Sequence, residues 1–90
     1  MVDLENIKRD ILTRIPDFAS NNNLEDLSIE LMIGKLKTYK EFQEEILRVP
    51  KPVLENRTAL YRFEAVSEIL RAVEQLNRNQ MFLKNGAVFN

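Results

Sequence analysis

The sequence contains no cysteine and no histidine, and it has only two glycines in 90 residues. Without cysteine there is neither a disulfide framework nor a thiolate nucleophile, which is typical of a reducing compartment. Without histidine the commonest general base and a usual zinc ligand are missing. Gly34 and Gly86 are too few for a phosphate loop or a dinucleotide fingerprint. We therefore expect a protein that is not an enzyme and that uses no cofactor, metal or small-molecule substrate.

Glutamates are the remaining candidates for chemistry. Three of them, Glu41, Glu44 and Glu45, share part of one predicted helix, while Glu64 and Glu68 lie one turn apart on another. Such groups can hold a hard cation through oxygen ligands. Metal sites in helical bundles, however, use Glu-x-x-His pairs, which this sequence cannot form. The glutamates are more typical of solvated helix surfaces paired with nearby arginines.

Long apolar runs and an excess of basic charge are also absent. Thirteen basic residues stand against fourteen acidic ones, so the net charge of −1 gives no general attraction to nucleic acid or anionic membranes. No run approaches the roughly 18 apolar residues of a membrane span, and the first residues lack the apolar segment of a signal peptide. The hydrophobic fraction of 44% is high enough for a folded core. We expect one helical domain over residues 1–90 in the cytoplasm.

The first predicted helix covers residues 4–15. Asp3 is a suitable N-cap, and apolar residues follow at spacings of three and four. These residues are Leu4, Ile7, Ile11, Leu12 and Ile15. Pro16 ends the helix in this prediction, and the segment from Pro16 to Asn23 is expected to form a turn.

The second predicted helix covers residues 24–48, with Asn23 as its N-cap. Its expected packing face consists of Leu27, Leu31, Gly34, Thr38, Phe42 and Ile46. On this face Gly34 and Thr38 are small enough for another helix to approach closely. One continuous helix is favoured, but a break near Gly34 would give a four-helix bundle, because Thr38 begins a capping box.

The third predicted helix covers residues 56–77 and carries two apolar seams about 100° apart. The first seam consists of Ala59, Phe63, Val66, Leu70 and Val73, and the second of Ala65, Ile69, Ala72 and Leu76. Two explanations remain open. In a three-helix bundle both seams belong to one intramolecular core, whereas in a homodimer one seam meets a second copy of the chain.

The tail, residues 78–90, has two interpretations. Asn85 and Gly86 tolerate positive φ, so they can form the turn of a β-hairpin between two short apolar segments. Alternatively the helix continues to Lys84 with Gly86 as its C-cap, and the last apolar residues fold back.

The fold class expected from these patterns is a small all-α bundle of three helices, with a C-terminal hairpin or apolar tail. For function we expect binding to another protein through apolar helix faces, as a regulator, adaptor or assembly factor, and as a homodimer. The residues expected to bind the partner are Ile69, Leu76, Phe82 and Phe89, with Arg71 and Arg78 at the rim.

The alternative function is nucleic-acid binding by a winged-helix-like fold. In that hypothesis Arg57, Arg62, Lys84 and the turn at Asn85 and Gly86 contact phosphates, and the helix after Gly34 reads the groove. It is disfavoured, because the glutamates of that helix would repel the phosphate backbone.

Overall fold

The computed structural model describes the backbone of residues 3–49 and 53–86 and the side chains of residues 3–49 and 56–80. The regular structure in these ranges is entirely helical, which confirms the predicted all-α fold. The elements are α1 (Leu4–Arg14), α2 (Pro16–Asn21), a 3-10 turn (Leu24–Asp26), α3 (Ile29–Arg48) and α4 (Val53–Gly86).

The start of α1 follows the prediction, but the segment after it does not. The Asp3 carboxylate accepts a hydrogen bond from the Asn6 amide at 2.8 Å, as an N-cap does. Pro16 does not lead into a turn, because it opens α2 as a first-turn residue. A proline fits there because the amide it lacks would have no helical partner in the first turn.

The predicted helix over residues 24–48 is two elements. Asn23 caps only the 3-10 turn, accepting from the Glu25 amide at 3.2 Å. Ser28 caps α3, accepting from the Leu31 amide at 3.2 Å. From there α3 continues without a break through Gly34, as the favoured prediction stated. The alternative, a break near Gly34, is not observed; the interruption lies instead between Asp26 and Ile29 and was not predicted.

The packing face of α3 differs from the predicted one. Its buried residues are Met32, Leu36 and Gln43, whereas Phe42 is 62% exposed. A Cβ added to Gly34 would meet no atom of the described residues within 4 Å, so none of the described helices approaches there closely. Met32 and Gln43 each lie one residue after a member of the predicted face, Leu31 and Phe42, and one residue is a rotation of about 100° around the helix axis.

The core lies where α4 packs against α1 and α3. Both predicted seams of α4 take part in it. From the first seam come Val66, Leu70 and Val73, and from the second Ala65 and Ile69, with Ala72 and Leu76 packed partly buried against them. The bundle explanation therefore accounts for both seams within one chain.

Two ion pairs connect α4 to the neighbouring helices. Arg14 of α1 lies 2.7 Å from the Glu68 carboxylate, and Lys37 of α3 lies 4.0 Å from that of Glu74. The hydrogen bond that the Arg14 guanidinium donates to the Glu68 carboxylate raises the pKa of Arg14 above its ordinary value. Glu68 and Glu74 thus pair with residues of other helices.

The C-terminal part of α4 is longer than predicted. The helix continues past residue 77 and ends at Gly86, so it passes through Asn85, where the hairpin turn was expected. The observed backbone corresponds to the helical alternative for the tail. Residues 87–90, which would form the second strand of a hairpin, lie outside the described residues.

Candidate functional site: a pocket between α2, α3 and α4

A pocket of about 410 Å³ lies between α2, α3 and the N-terminal half of α4. This volume falls in the range of ordinary ligand pockets. Most lining residues come from α2 and from two turns of α3, and one comes from α4. They are Asp17, Phe18, Asn21, Asn22, Lys35, Thr38, Tyr39, Phe42, Gln43 and Arg62.

Aromatic side chains form the apolar wall of the pocket. Phe18 is 2% exposed and belongs to the core. Its ring meets that of Tyr39 edge to face, with centroids 5.7 Å apart and planes at 87°. Phe42 lines the same pocket but leaves most of its ring in solvent. The wall therefore passes from a buried ring to an exposed one.

Tyr39 and Asp17 form the polar link across the pocket. The Tyr39 hydroxyl donates to the Asp17 carboxylate, with oxygen distances of 3.0 and 2.9 Å. Arg62 of α4 approaches the same carboxylate, with its Nε atom 3.7 Å from Oδ2. Burial raises the pKa of Tyr39 well above its ordinary value, and the hydrogen bond to Asp17 adds to this effect. Tyr39 is therefore a protonated donor near neutral pH.

Gln43 brings an unsatisfied acceptor to the pocket. The residue is 2% exposed, and its buried Oε1 atom has no hydrogen-bond partner among the described residues. An unpaired buried acceptor typically costs about 1–3 kcal/mol. Most buried polar groups in folded proteins have a protein or water partner, and the Gln43 oxygen lacks a protein partner within the described residues.

Among the residues whose side chains the structure describes, two cations and one carboxylate line the pocket. Lys35 is exposed on α3 and forms no ion pair with the residues that the structure describes. Asp17 is already engaged by Tyr39 and Arg62. The excess charge at the rim is therefore positive.

The side chains that line the pocket can make apolar contacts, hydrogen bonds and ionic interactions with a bound group. The only lining hydroxyl besides that of Tyr39 belongs to Thr38, which donates to the Gly34 carbonyl at 3.1 Å. Within the described ranges, acidic side chains do not form a group of three that could hold a metal ion. The geometry is suited to binding.

The residues predicted to bind a partner lie elsewhere. Ile69 is 2% exposed within the core, which corrects its assignment as a docking residue. Leu76 is half-buried against the core, and Arg71 and Arg78 are exposed. Arg78 donates to the Gln75 side chain at 2.8 Å. The side chain of Phe82 and all of Phe89 lie outside the described residues.

The nucleic-acid alternative depended on a helix-turn-helix corner at Gly34 and a turn at Asn85, and both positions are helical. Because α3 is continuous through Gly34, no helix-turn-helix corner forms there. Arg62 is paired with Asp17, and Asn85 is helical. Arg57 remains exposed on α4. These positions do not give the reading helix and wing that the hypothesis required.

Sequence reasoning did not identify the pocket. The contact between Asp17 and Tyr39 joins residues 22 positions apart, which no local pattern reveals. One signal was present in the spacing of Met32, Leu36, Tyr39 and Gln43, which recur at four, three and four on one helical face. Gln43 in the last position made that face look less apolar than its neighbour.

Comparisons of the chain with protein-family models, with curated proteins and with solved structures found no match. None of the helices in residues 3–49 and 53–86 combines the length and the apolar character needed to cross a bilayer. The functional inference therefore depends on the pocket itself.

Proposed function

We propose that this chain is a non-enzymatic binding protein that recognises another protein through the pocket between α2, α3 and α4. The observation that carries the proposal is the pairing of Phe42, 62% exposed, with the buried and unpartnered oxygen of Gln43 in one pocket. Exposed aromatic rings beside a pocket are the usual anchors of protein interfaces.

The exposure of Phe42 favours a protein over a small molecule. A ligand confined to the pocket would cover the half-buried Tyr39 but would leave the outer part of the Phe42 ring in water. A protein that inserts one side chain can cover that ring with its neighbouring residues. Burial of a large aromatic side chain contributes roughly 1.5–3 kcal/mol, enough to make Phe42 a major contributor.

Binding without catalysis fits a regulator, an adaptor or an assembly factor. The predicted homodimer stays a prediction, and it must use another surface than the second seam because Ile69 is buried within the chain. Sedimentation at several protein concentrations measures the oligomeric state directly.

A matched pair of variants tests the proposed function. Phe42→Ser removes the exposed ring at the pocket, and Leu12→Ser removes a comparably exposed apolar side chain from α1, where the exposed fraction is 57%. Each tagged variant is expressed in cells of the source organism, and bound proteins are identified by mass spectrometry. We expect a partner that the wild type and Leu12→Ser retain and that Phe42→Ser loses.

Circular dichroism of both variants checks that each is folded. Equal recovery of every bound protein by the two variants would show that the pocket does not select a partner, and the proposal would then be abandoned.

A further inference from the structure

Resting on the proposed function, we propose that the occupant of the pocket is a tryptophan side chain presented by an acidic segment of a different protein. Three features of the described residues lead to this occupant: an unpartnered acceptor, an aromatic wall and a positive rim.

The unpartnered acceptor requires a hydrogen-bond donor on the occupant. The terminal torsion of a glutamine is soft, so the Gln43 amide can turn its oxygen toward a donor at little cost. An indole N–H is a donor only. It satisfies Gln43 without bringing an acceptor that needs a partner of its own. A leucine or phenylalanine side chain would leave the Gln43 oxygen unpaired.

The aromatic wall favours a large flat ring. Phe18 and Tyr39 already meet edge to face, and Phe42 presents a further ring at the pocket edge. An indole inserted beside them can form the same edge-to-face or offset contacts, which stabilise aromatic pairs beyond the area they bury.

The positive charge at the pocket rim favours acidic residues next to the inserted side chain. Lys35 forms no ion pair with the described part of the chain, and Arg62 is a second cation at the pocket. Lysine or arginine as the inserted residue is disfavoured by these cations. Aspartate or glutamate next to the anchor would meet Lys35 and would accelerate association.

The sequence contains no tryptophan, so residues 1–90 of a second copy cannot supply the anchor. We therefore assign the anchor to a different protein. The same absence gives a clean measurement, since any tryptophan fluorescence in a mixture arises from the added ligand.

The test uses the full chain and three synthetic peptides of equal length. The first has one tryptophan flanked by glutamates, the second replaces this tryptophan with leucine, and the third replaces the glutamates with lysines. Binding is measured by calorimetry for all three, and by the shift of tryptophan emission for the two that contain tryptophan. We expect the acidic tryptophan peptide to bind with a blue-shifted emission, and the other two to bind at least tenfold more weakly.

Variants of the chain test whether the peptide binds in the pocket. Gln43→Met keeps the length of the side chain and removes the acceptor, and loss of one hydrogen bond should weaken binding of the acidic tryptophan peptide about fivefold to tenfold. Lys35→Glu should weaken the acidic peptide and strengthen the lysine peptide. Leu12→Ala on α1 should change neither affinity.

The results separate this inference from the proposed function. If the leucine peptide binds as tightly as the tryptophan peptide, or if Gln43→Met leaves the affinity unchanged, the tryptophan anchor is wrong. The same holds if none of the peptides binds. The proposed function survives these results as long as Phe42→Ser still loses a cellular partner that Leu12→Ser retains.

Discussion

The Tyr39 hydroxyl donates a hydrogen bond to the Asp17 carboxylate, with distances of 3.0 and 2.9 Å to its two oxygens, across a separation of 22 residues. It connects α2 to α3 beside the edge-to-face contact between Tyr39 and Phe18. A helix of six residues is too short to be stable alone, so α2 depends on such tertiary contacts. The wall of the pocket therefore depends on this pair of residues.

Replacing Tyr39 with phenylalanine tests this link. The ring contact with Phe18 remains, but the hydrogen bond to a charged acceptor is lost. We expect the free energy of unfolding to fall by about 1 kcal/mol, toward the low end for such bonds because the pair is only partly buried. Urea denaturation measures the change. Tyr61→Phe is the comparison, at a position that is 55% exposed and whose hydroxyl interacts with Arg14, and it should have a smaller effect. A change near zero for Tyr39→Phe would show that the Asp17 bond adds nothing.

The same pair predicts a dependence of stability on alkaline pH. Burial and Asp17 raise the pKa of Tyr39 in the folded chain above the value of about 10 for an unfolded tyrosine. The folded state therefore holds the proton more tightly. The stabilisation is fully present below pH of about 10 and is lost as the pH rises through the folded pKa. We expect the wild type to lose its stability advantage over Tyr39→Phe in that range, as measured by urea denaturation at a series of pH values. A constant difference between the two proteins would contradict the raised pKa.

Gln43→Met should stabilise the fold. The substitution removes an unpaired buried acceptor and keeps a side chain of similar length and helix propensity. We expect the free energy of unfolding to rise by about 1 kcal/mol. Gln80→Met, at an exposed position of α4, is the control for the change in composition. Stabilisation together with weaker peptide binding would identify Gln43 as a residue kept for recognition. A loss of stability would show that its oxygen is already satisfied in the free protein.

Ala65→Glu tests whether the second seam of α4 belongs to the core of one chain. Ala65 is completely buried, so a glutamate there would be overpacked and its charge would lack a partner. We expect this variant to be largely unfolded by circular dichroism. Leu60→Glu, at a position on α4 that is 48% exposed, should remain helical. A folded but monomeric Ala65→Glu protein would instead support the dimer explanation of that seam.

Much of the fold could be predicted, because a regular apolar spacing dictates a helix and its inner face. Asp3 and the isoleucines at positions 7 and 11 correctly located α1, and the double seam of α4 correctly indicated a helix with two neighbours. The long α3 was also recognised through Gly34. In each of these helices the local pattern and the tertiary packing agree.

The site could not be predicted, because there the local pattern allows more than one answer. Two sets of residues on α3 are spaced as a helical face. One contains Leu31 and Phe42, and the other contains Met32, one residue after Leu31, and Leu36. Packing against α4 selects the second set and leaves Phe42 in solvent. Pro16 likewise permits either the end of one helix or the start of another. These two choices determine the pocket.

Gly34 provides the sharpest test of the observed α3. It lies in the interior of a helix with a negative φ, and a Cβ added to it would meet no atom within 4 Å. Alanine lowers the conformational entropy of the unfolded chain and fits the helix, so Gly34→Ala should stabilise the protein by about 0.5–1 kcal/mol in urea denaturation. Destabilisation would mean that another segment approaches Gly34 or that the helix breaks there, and the exposed face carrying Phe42 would then be assigned incorrectly.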